Sequence, residues 1–228
     1  MCHKSQPLTG IAVLFTQTFC SHNFNYKNCL SSRLVCKQYI SNRTTGEASP
    51  LPFTCGYFSC SIWLLYGLTK NDGNMIIVNV VGVVFMIAYT IVFYLYTLKK
   101  NLVLRQSYIT VGLCLLIIGY VNVEEDNEVL LNRLGLVACF LTLLTVAAPM
   151  SKLFYVIRTR CTECLPFPMI LMSFIVTALW FFYGIIEEDI YLTIPNFIGA
   201  SLALAQLSLF AIYPSKPSSP LLPKSTLA

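Results

Sequence analysis

Apolar residues fall into six long stretches: Pro52–Thr69, Met75–Leu98, Ser107–Val123, Arg133–Ile157, Pro166–Ile186 and Tyr191–Tyr213. Five of them contain no charged residue, and the sixth opens on Arg133 and carries Lys152 near its far end. A helix needs about 20 apolar residues to cross the hydrocarbon core of a bilayer. The strands of a membrane barrel would instead alternate polar and apolar residues, and these stretches do not. The pattern therefore predicts six membrane-crossing helices. Leu8–Cys20 is too short and too polar to make a confident seventh, and the Pro- and Ser-rich segment 214–228 reads as a disordered tail on the cytosolic side.

Composition agrees with this reading. The chain has 228 residues, 56% hydrophobic and only 11% charged, less than half the charge of an ordinary soluble domain. The +5 net charge has its meaning in its placement. Arg33, Lys37 and Arg43, then Lys99, Lys100 and Arg105, then Lys152, Arg158 and Arg160, then Lys216 and Lys224 mark one set of connections. Glu124, Glu125, Asp126 and Glu128, then Glu187, Glu188 and Asp189, mark the alternate set, with Lys70 and Asp72 cancelling in the third. Basic loops stay in the cytosol, so the charge reports orientation and gives no reason to expect a nucleic-acid partner. The Asn42-Arg43-Thr44 sequon then lies on the cytosolic side, unused. Cys55, Cys60, Cys114 and Cys139 sit inside apolar runs, where cysteine behaves as a small hydrophobe.

The chain repeats itself. Trp63-Leu-Leu-Tyr66-Gly67 returns as Trp180-Phe-Phe-Tyr183-Gly184, and Asn79-Val-Val-Gly82 returns as Asn196-Phe-Ile-Gly199, each 117 residues on. Tyr96 returns as Tyr213 at the same offset, and Pro50-Leu-Pro52 returns as Pro166-Phe-Pro168 at 116. Both copies begin at a basic connection, so the two units run the same way through the membrane. Two parallel three-helix units need one inverting helix between them. The expected plan is therefore all-α: an atypical N-terminus over 1–34, a first repeat over 35–98 with helices 52–69 and 75–98, a linker helix over 107–123, a second repeat over 133–213 and the tail. In this seven-helix plan the first helix is degenerate or missing.

No acidic residue lies within any of the six stretches, which argues against a carboxylate relay for protons or sodium. Cys161-Thr-Glu-Cys164 has no second pair to complete a metal site, and neither a nucleophilic nor a metalloprotease constellation appears. Neither a cofactor nor enzymatic activity is expected. The polar groups at depth are Asn79 and Asn196, whose amides offer donors and an acceptor suited to hydroxyl groups. Trp63 and Trp180 offer flat apolar faces for a sugar ring. Parallel repeats with a midplane site are a known transporter plan. An alternative role for the two amides is to join helices by hydrogen bonds. Pro149 and Pro195 lie inside helical stretches, where proline removes a backbone hydrogen bond and kinks the helix; Pro52 and Pro166 lie near helix starts, which tolerate it.

With Ala148-Pro149-Met150-Ser151, Leu165-Pro166-Phe167-Pro168, Trp180-Phe-Phe-Tyr183-Gly184 and Ile194-Pro195-Asn196, the chain resembles the SWEET (saliva-type) sugar facilitators, most closely animal members, from about Val35 to Pro214. The resemblance implies passive, bidirectional transport of mono- or disaccharides by alternating access. It implies that Asn79 and Asn196 bind the sugar and that Trp63 and Trp180 shape its pocket. Tyr66, Gly67, Tyr183, Gly184, Asp189 and Pro195 then match an outer gate. Pro52, Pro149 and Pro166 match hinge prolines, and Gln206 matches a glutamine linked to inner-side rearrangement. Plasma membrane, with Golgi or another endomembrane as the alternative, and homo- or hetero-oligomers with other members are expected. The unusual 1–34 segment raises a second functional reading, a non-transporting homologue that assembles with and modulates a full-length transporter.

Overall fold

The computed structural model describes residues 39–46, 48–147, 150–159, 162 and 167–213. The expectations for segment 1–34, the tail, Pro149 and Pro166 lie outside these residues. A helical turn over 39–42 leads to seven helices: α1 Leu51–Lys70, α2 Gly73–Tyr96, α3 Lys100–Val123, α4 Asn127–Ala147, α5 Met150–Thr159, α6 Phe167–Ile186 and α7 Ile190–Ile212. All but α5 are long and apolar enough to cross a membrane. Two boundaries differ from the sequence expectation. The linker helix α3 starts at Lys100 rather than Ser107, because an apolar run measures hydrocarbon depth while Lys and Arg extend a helix readily into the polar zone. The stretch Arg133–Ile157 divides into α4 and α5, and α4 starts six residues early because Asp126 accepts the Glu128 and Val129 N–H groups at 2.9 and 3.3 Å as an N-cap does.

The two units share their local chemistry. Helix α1 ends at Asn71 in the left-handed region (φ 60°), and Asp72 N–H donates to the Gly67 carbonyl at 2.9 Å. Helix α6 ends at Glu188 (φ 52°), with Asp189 N–H on the Gly184 carbonyl at 2.8 Å. Asp72 then caps α2 by accepting the Asn74 and Met75 N–H groups, and Asp189 caps α7 by accepting those of Tyr191 and Leu192. Such reversals are short enough to bring consecutive helices into contact as antiparallel pairs, α1 with α2 and α6 with α7.

Each pair buries a matching stripe. On α2 it runs Asp72, Met75, Asn79, Gly82, Met86, Tyr89 and Phe93; on α7 it runs Asp189, Leu192, Asn196, Gly199, Ala203 and Gln206. Steps of three and four keep one face of a helix inward. The opposite face of α2 exposes Ile77, Val84, Ile91 and Leu95, as a lipid-facing surface should. The connection before each pair ties back to the end of its last helix: Thr45 N–H donates to the Tyr96 carbonyl at 3.2 Å, and Thr162 Oγ1 donates to that of Tyr213 at 2.9 Å. Like the tyrosines they bind, the two threonines stand 117 residues apart.

The units meet through α4, which packs on both α1 and α7. Three buried clusters result. One, near the acidic connections, draws Ile62, Trp63, Tyr66 and Met75 from the first unit and Leu130, Leu134, Ala138 and Leu192 from the second. The other two lie toward the basic connections. Phe53, Met86, Tyr89, Phe93 and Val103 belong to the first unit and the linker helix, while Val156, Ile170, Ala203 and Leu209 belong wholly to the second. Among the described residues, one shared core seals the acidic end, and each unit keeps its own core at the basic end.

Candidate functional site

At the acidic end the units exchange a reciprocal pair of hydrogen bonds. Tyr66 on α1 donates its hydroxyl to Asp189 Oδ2 at 2.8 Å, across the unit boundary. Tyr183 on α6 donates to the Asp72 carboxylate, 2.9 and 2.8 Å from its two oxygens. Hydrogen bonds to a charged acceptor contribute about 1.5–3 kcal/mol each, so the two latches together hold this end closed by a few kcal/mol. Each carboxylate also caps a helix, so the same residue fixes the helix phase and receives the other unit's tyrosine.

Neighbours brace the two tyrosines. The Trp63 ring meets Tyr66 edge-on at 5.7 Å, and the Trp180 ring meets Tyr183 the same way at 5.5 Å. Asn74 Nδ2 donates to the Tyr183 hydroxyl at 3.3 Å. Tyr191, the residue 117 beyond Asn74, meets the Tyr66 ring edge-on at 6.3 Å and donates to Asn132 Oδ1 at 3.1 Å. Gly135 admits the Tyr191 ring, since a Cβ there would lie 2.5 Å from it. Lys70 adds a salt bridge of 2.7 Å to Asp189.

The predicted binding residues lie below this seal. Trp63 and Trp180 precede the tyrosines by three residues on the same helices, and Trp63 Nε1 donates to Thr142 Oγ1 at 3.1 Å. Asn79 and Asn196 each donate Nδ2 at 2.8 Å to a carbonyl one turn back, those of Met75 and Leu192, which are members of the shared core. Trp63 lies seven residues before the end of α1 and Asn79 seven after Asp72. At 1.5 Å per residue both sit roughly 10 Å below the acidic end. Asn79 is 2% exposed, and its Oδ1 has no hydrogen-bond partner. A buried acceptor left without a partner costs about 1–3 kcal/mol, which a hydroxyl-bearing ligand would recover.

The remaining expected residues are placed as follows. Gly67 and Gly184 are buried where the next helix turns back; Pro195 is buried inside α7, where it leaves the Tyr191 carbonyl without a helical donor; and Gln206 is 5% exposed on the α7 stripe toward the basic end. Pro52 occupies the first turn of α1, where its missing N–H removes no helical bond. The sequence reading missed Asp72, Asn74 and Tyr191. Asp72 is readable, standing 117 residues before Asp189, but in the sequence it counts only as loop charge that cancels Lys70. Asn74 and Tyr191 share that offset but differ chemically, so residue identity gave no signal.

Fold and site together define a multi-pass membrane protein of two like units, latched to each other at one end. A family model described as "Sugar efflux transporter for intercellular exchange" matches residues 18–101 and 132–218, starting upstream of Val35. The chain belongs to this MtN3/saliva family, the SWEETs. It is 36% identical to Sugar transporter SWEET1 of Drosophila pseudoobscura pseudoobscura, over 82% of this chain and 84% of that one. It is 32% identical to the Homo sapiens protein of the same name, over 76% and 79%. Bidirectional sugar transporter SWEET7 of Arabidopsis thaliana is 27% identical over 76% and 70%. The solved structure of a eukaryotic SWEET transporter has the same fold, with a TM-score of 0.68 over 90% of this chain and 97% of that one, at 24% identity.

Proposed function

We propose that this chain transports sugars as a facilitative, bidirectional uniporter, moving mono- or disaccharides by alternating access. Family membership and the names of the relatives support sugar transport. The distribution of the cores supports the mechanism: the units share a latched core at the acidic end and keep separate cores at the basic end. That is the arrangement of a carrier closed on one side and free to part on the other. In this reading Asn79, Asn196, Trp63 and Trp180 hold the sugar beneath the seal. Tyr66, Gly67, Tyr183, Gly184, Asp189 and Pro195 form the gate, and Pro52, Pro149, Pro166 and Gln206 serve the rearrangement of the basic end. The basic connections face the cytosol, the latched end faces away from it, and the plasma membrane is the expected location.

The observation that carries this reading is the reciprocal exchange between Tyr66–Asp189 and Tyr183–Asp72. It ties the two repeated units together at a point that must part for a solute to pass. Uptake of radiolabelled glucose by cells lacking their own sugar transporters tests it. The unaltered chain is expected to carry glucose down its gradient, inward or outward as the gradient is set, and Asn196→Ala to lose most of the uptake. Full uptake by Asn196→Ala would overturn the pocket assignment.

A further inference from the structure

The two latches have like geometry and unlike charge. Lys70 stands four residues after Tyr66 on α1, so both side chains lie on one helix face, and both reach Asp189. Glu187 stands four residues after Tyr183 at the end of α6, its N–H bonded to the Tyr183 carbonyl. It occupies the position that corresponds to Lys70, on the side where Tyr183 reaches Asp72. Thus the Asp189 latch contains a cation, whereas the corresponding position beside the Asp72 latch carries an exposed carboxylate. The groups that the structure places on Asp72 are the Tyr183 hydroxyl and two backbone N–H groups, all neutral donors. Asp72 is nonetheless 8% exposed, and a buried carboxylate gains hydration when its site opens to water.

We propose that Glu187 is a positioning residue that biases the gate toward opening, by repelling Asp72 across the unit boundary, so that the Asp72–Tyr183 latch yields first and the Lys70-bound Asp189 latch serves as the hinge side. This rests on the transporter reading for its biological meaning, while the charge bias itself is a property of the gate. The chemistry requires no ligand. Closing brings Glu187 and Asp72 together, opening separates them, and Lys70 keeps the other latch neutral in charge throughout.

The test replaces Glu187 by Lys, which supplies the Asp72 latch with the cation that its counterpart already has. Water access to the gate is read by hydroxyl-radical oxidation of Met75, a member of the shared core that is 1% exposed, in the purified full chain. Glu187→Lys is expected to lower Met75 oxidation roughly threefold, the effect of one partly exposed charge pair on a two-state equilibrium. The same change also favours the helix end through its dipole, so it is repeated with Asp72→Asn, which still caps α2. In that background Glu187→Lys is expected to leave oxidation unchanged. An equal decrease in both backgrounds, or none with Asp72 present, would overturn the inference. Sugar uptake measured alongside separates the two readings. Absence of uptake by the unaltered chain, with the oxidation pattern as expected, overturns transport and leaves the charge bias standing. In a transporting chain, Glu187→Lys is expected to raise KM for sugar offered at the latched side by the same factor.

Discussion

Replacing Gly184 by alanine perturbs a close helix contact of the second unit. A Cβ at Gly184 would lie 2.6 Å from Thr193 Oγ1 and 2.9 Å from Thr193 N, about 0.8 and 0.5 Å inside the 3.4 Å at which ordinary contact begins. The hydroxyl has little room to swing aside, because it donates to the Asp189 carbonyl at 2.6 Å, and a backbone nitrogen yields only if α6 and α7 separate. Overpacking of this kind costs about 1–3 kcal/mol, while alanine returns about 1 kcal/mol of helix propensity. A net loss of up to about 2 kcal/mol follows. Gly67 is the corresponding position, but there the Cβ meets Met75 Cβ at 3.0 Å and Ile76 N at 3.4 Å, so Gly67→Ala should be near neutral. Gly119, inside α3 with nothing within 4 Å, should gain about 0.5–1 kcal/mol as alanine. Thermal unfolding in detergent, followed by tryptophan fluorescence, should therefore rank the midpoints Gly119→Ala highest, Gly67→Ala next and Gly184→Ala lowest. A Gly184→Ala protein as stable as Gly67→Ala would refute the claim that backbone approach at this turn is what requires glycine.

Two further outcomes follow from the same geometry. Asn79→Leu removes the buried Oδ1 that has no partner, so its melting temperature should be equal to or above that of the unaltered chain while sugar uptake falls at least tenfold; a clear loss of stability would show that the amide is structural. Glu188 holds a left-handed backbone at φ 52°, which costs a residue with a side chain about 1–2 kcal/mol, so Glu188→Gly should raise the melting temperature, and a decrease would contradict the strain.

Much of this arrangement was legible in the residues. Charge-free stretches and a 117-residue repeat led to parallel units and an intervening inverting helix, because burial in a bilayer allows few other solutions. Helix ends were less legible. Lys100 and Asn127 begin helices beyond the apolar runs, since capping by Asp126 and the helix propensity of charged residues act in the polar zone, where hydropathy gives no signal. At the candidate site the tyrosines, tryptophans and asparagines stood out as repeated large or polar groups. Asp189 stood out with them, but the groups that brace the latches did not, because the 74/191 position pairs an asparagine with a tyrosine and the 70/187 position pairs a lysine with a glutamate. The sequence repeat marks where identity is retained; the latches depend equally on positions where the two copies have diverged.

The single buried stripe on α2 has a consequence for how this protein can change. Asp72 at the latch and Asn79 at the level of the proposed pocket lie on the same face, set by the one short reversal after Gly67, and Asp189 and Asn196 are joined in the same way through the reversal after Gly184. Adding or deleting one residue in either reversal would turn the following helix by about 100° and carry the carboxylate and the amide off that face together. The latch and the proposed pocket are thus geared to one shaft in each unit. Substitution can retune either one alone, but a change in loop length disengages both at once.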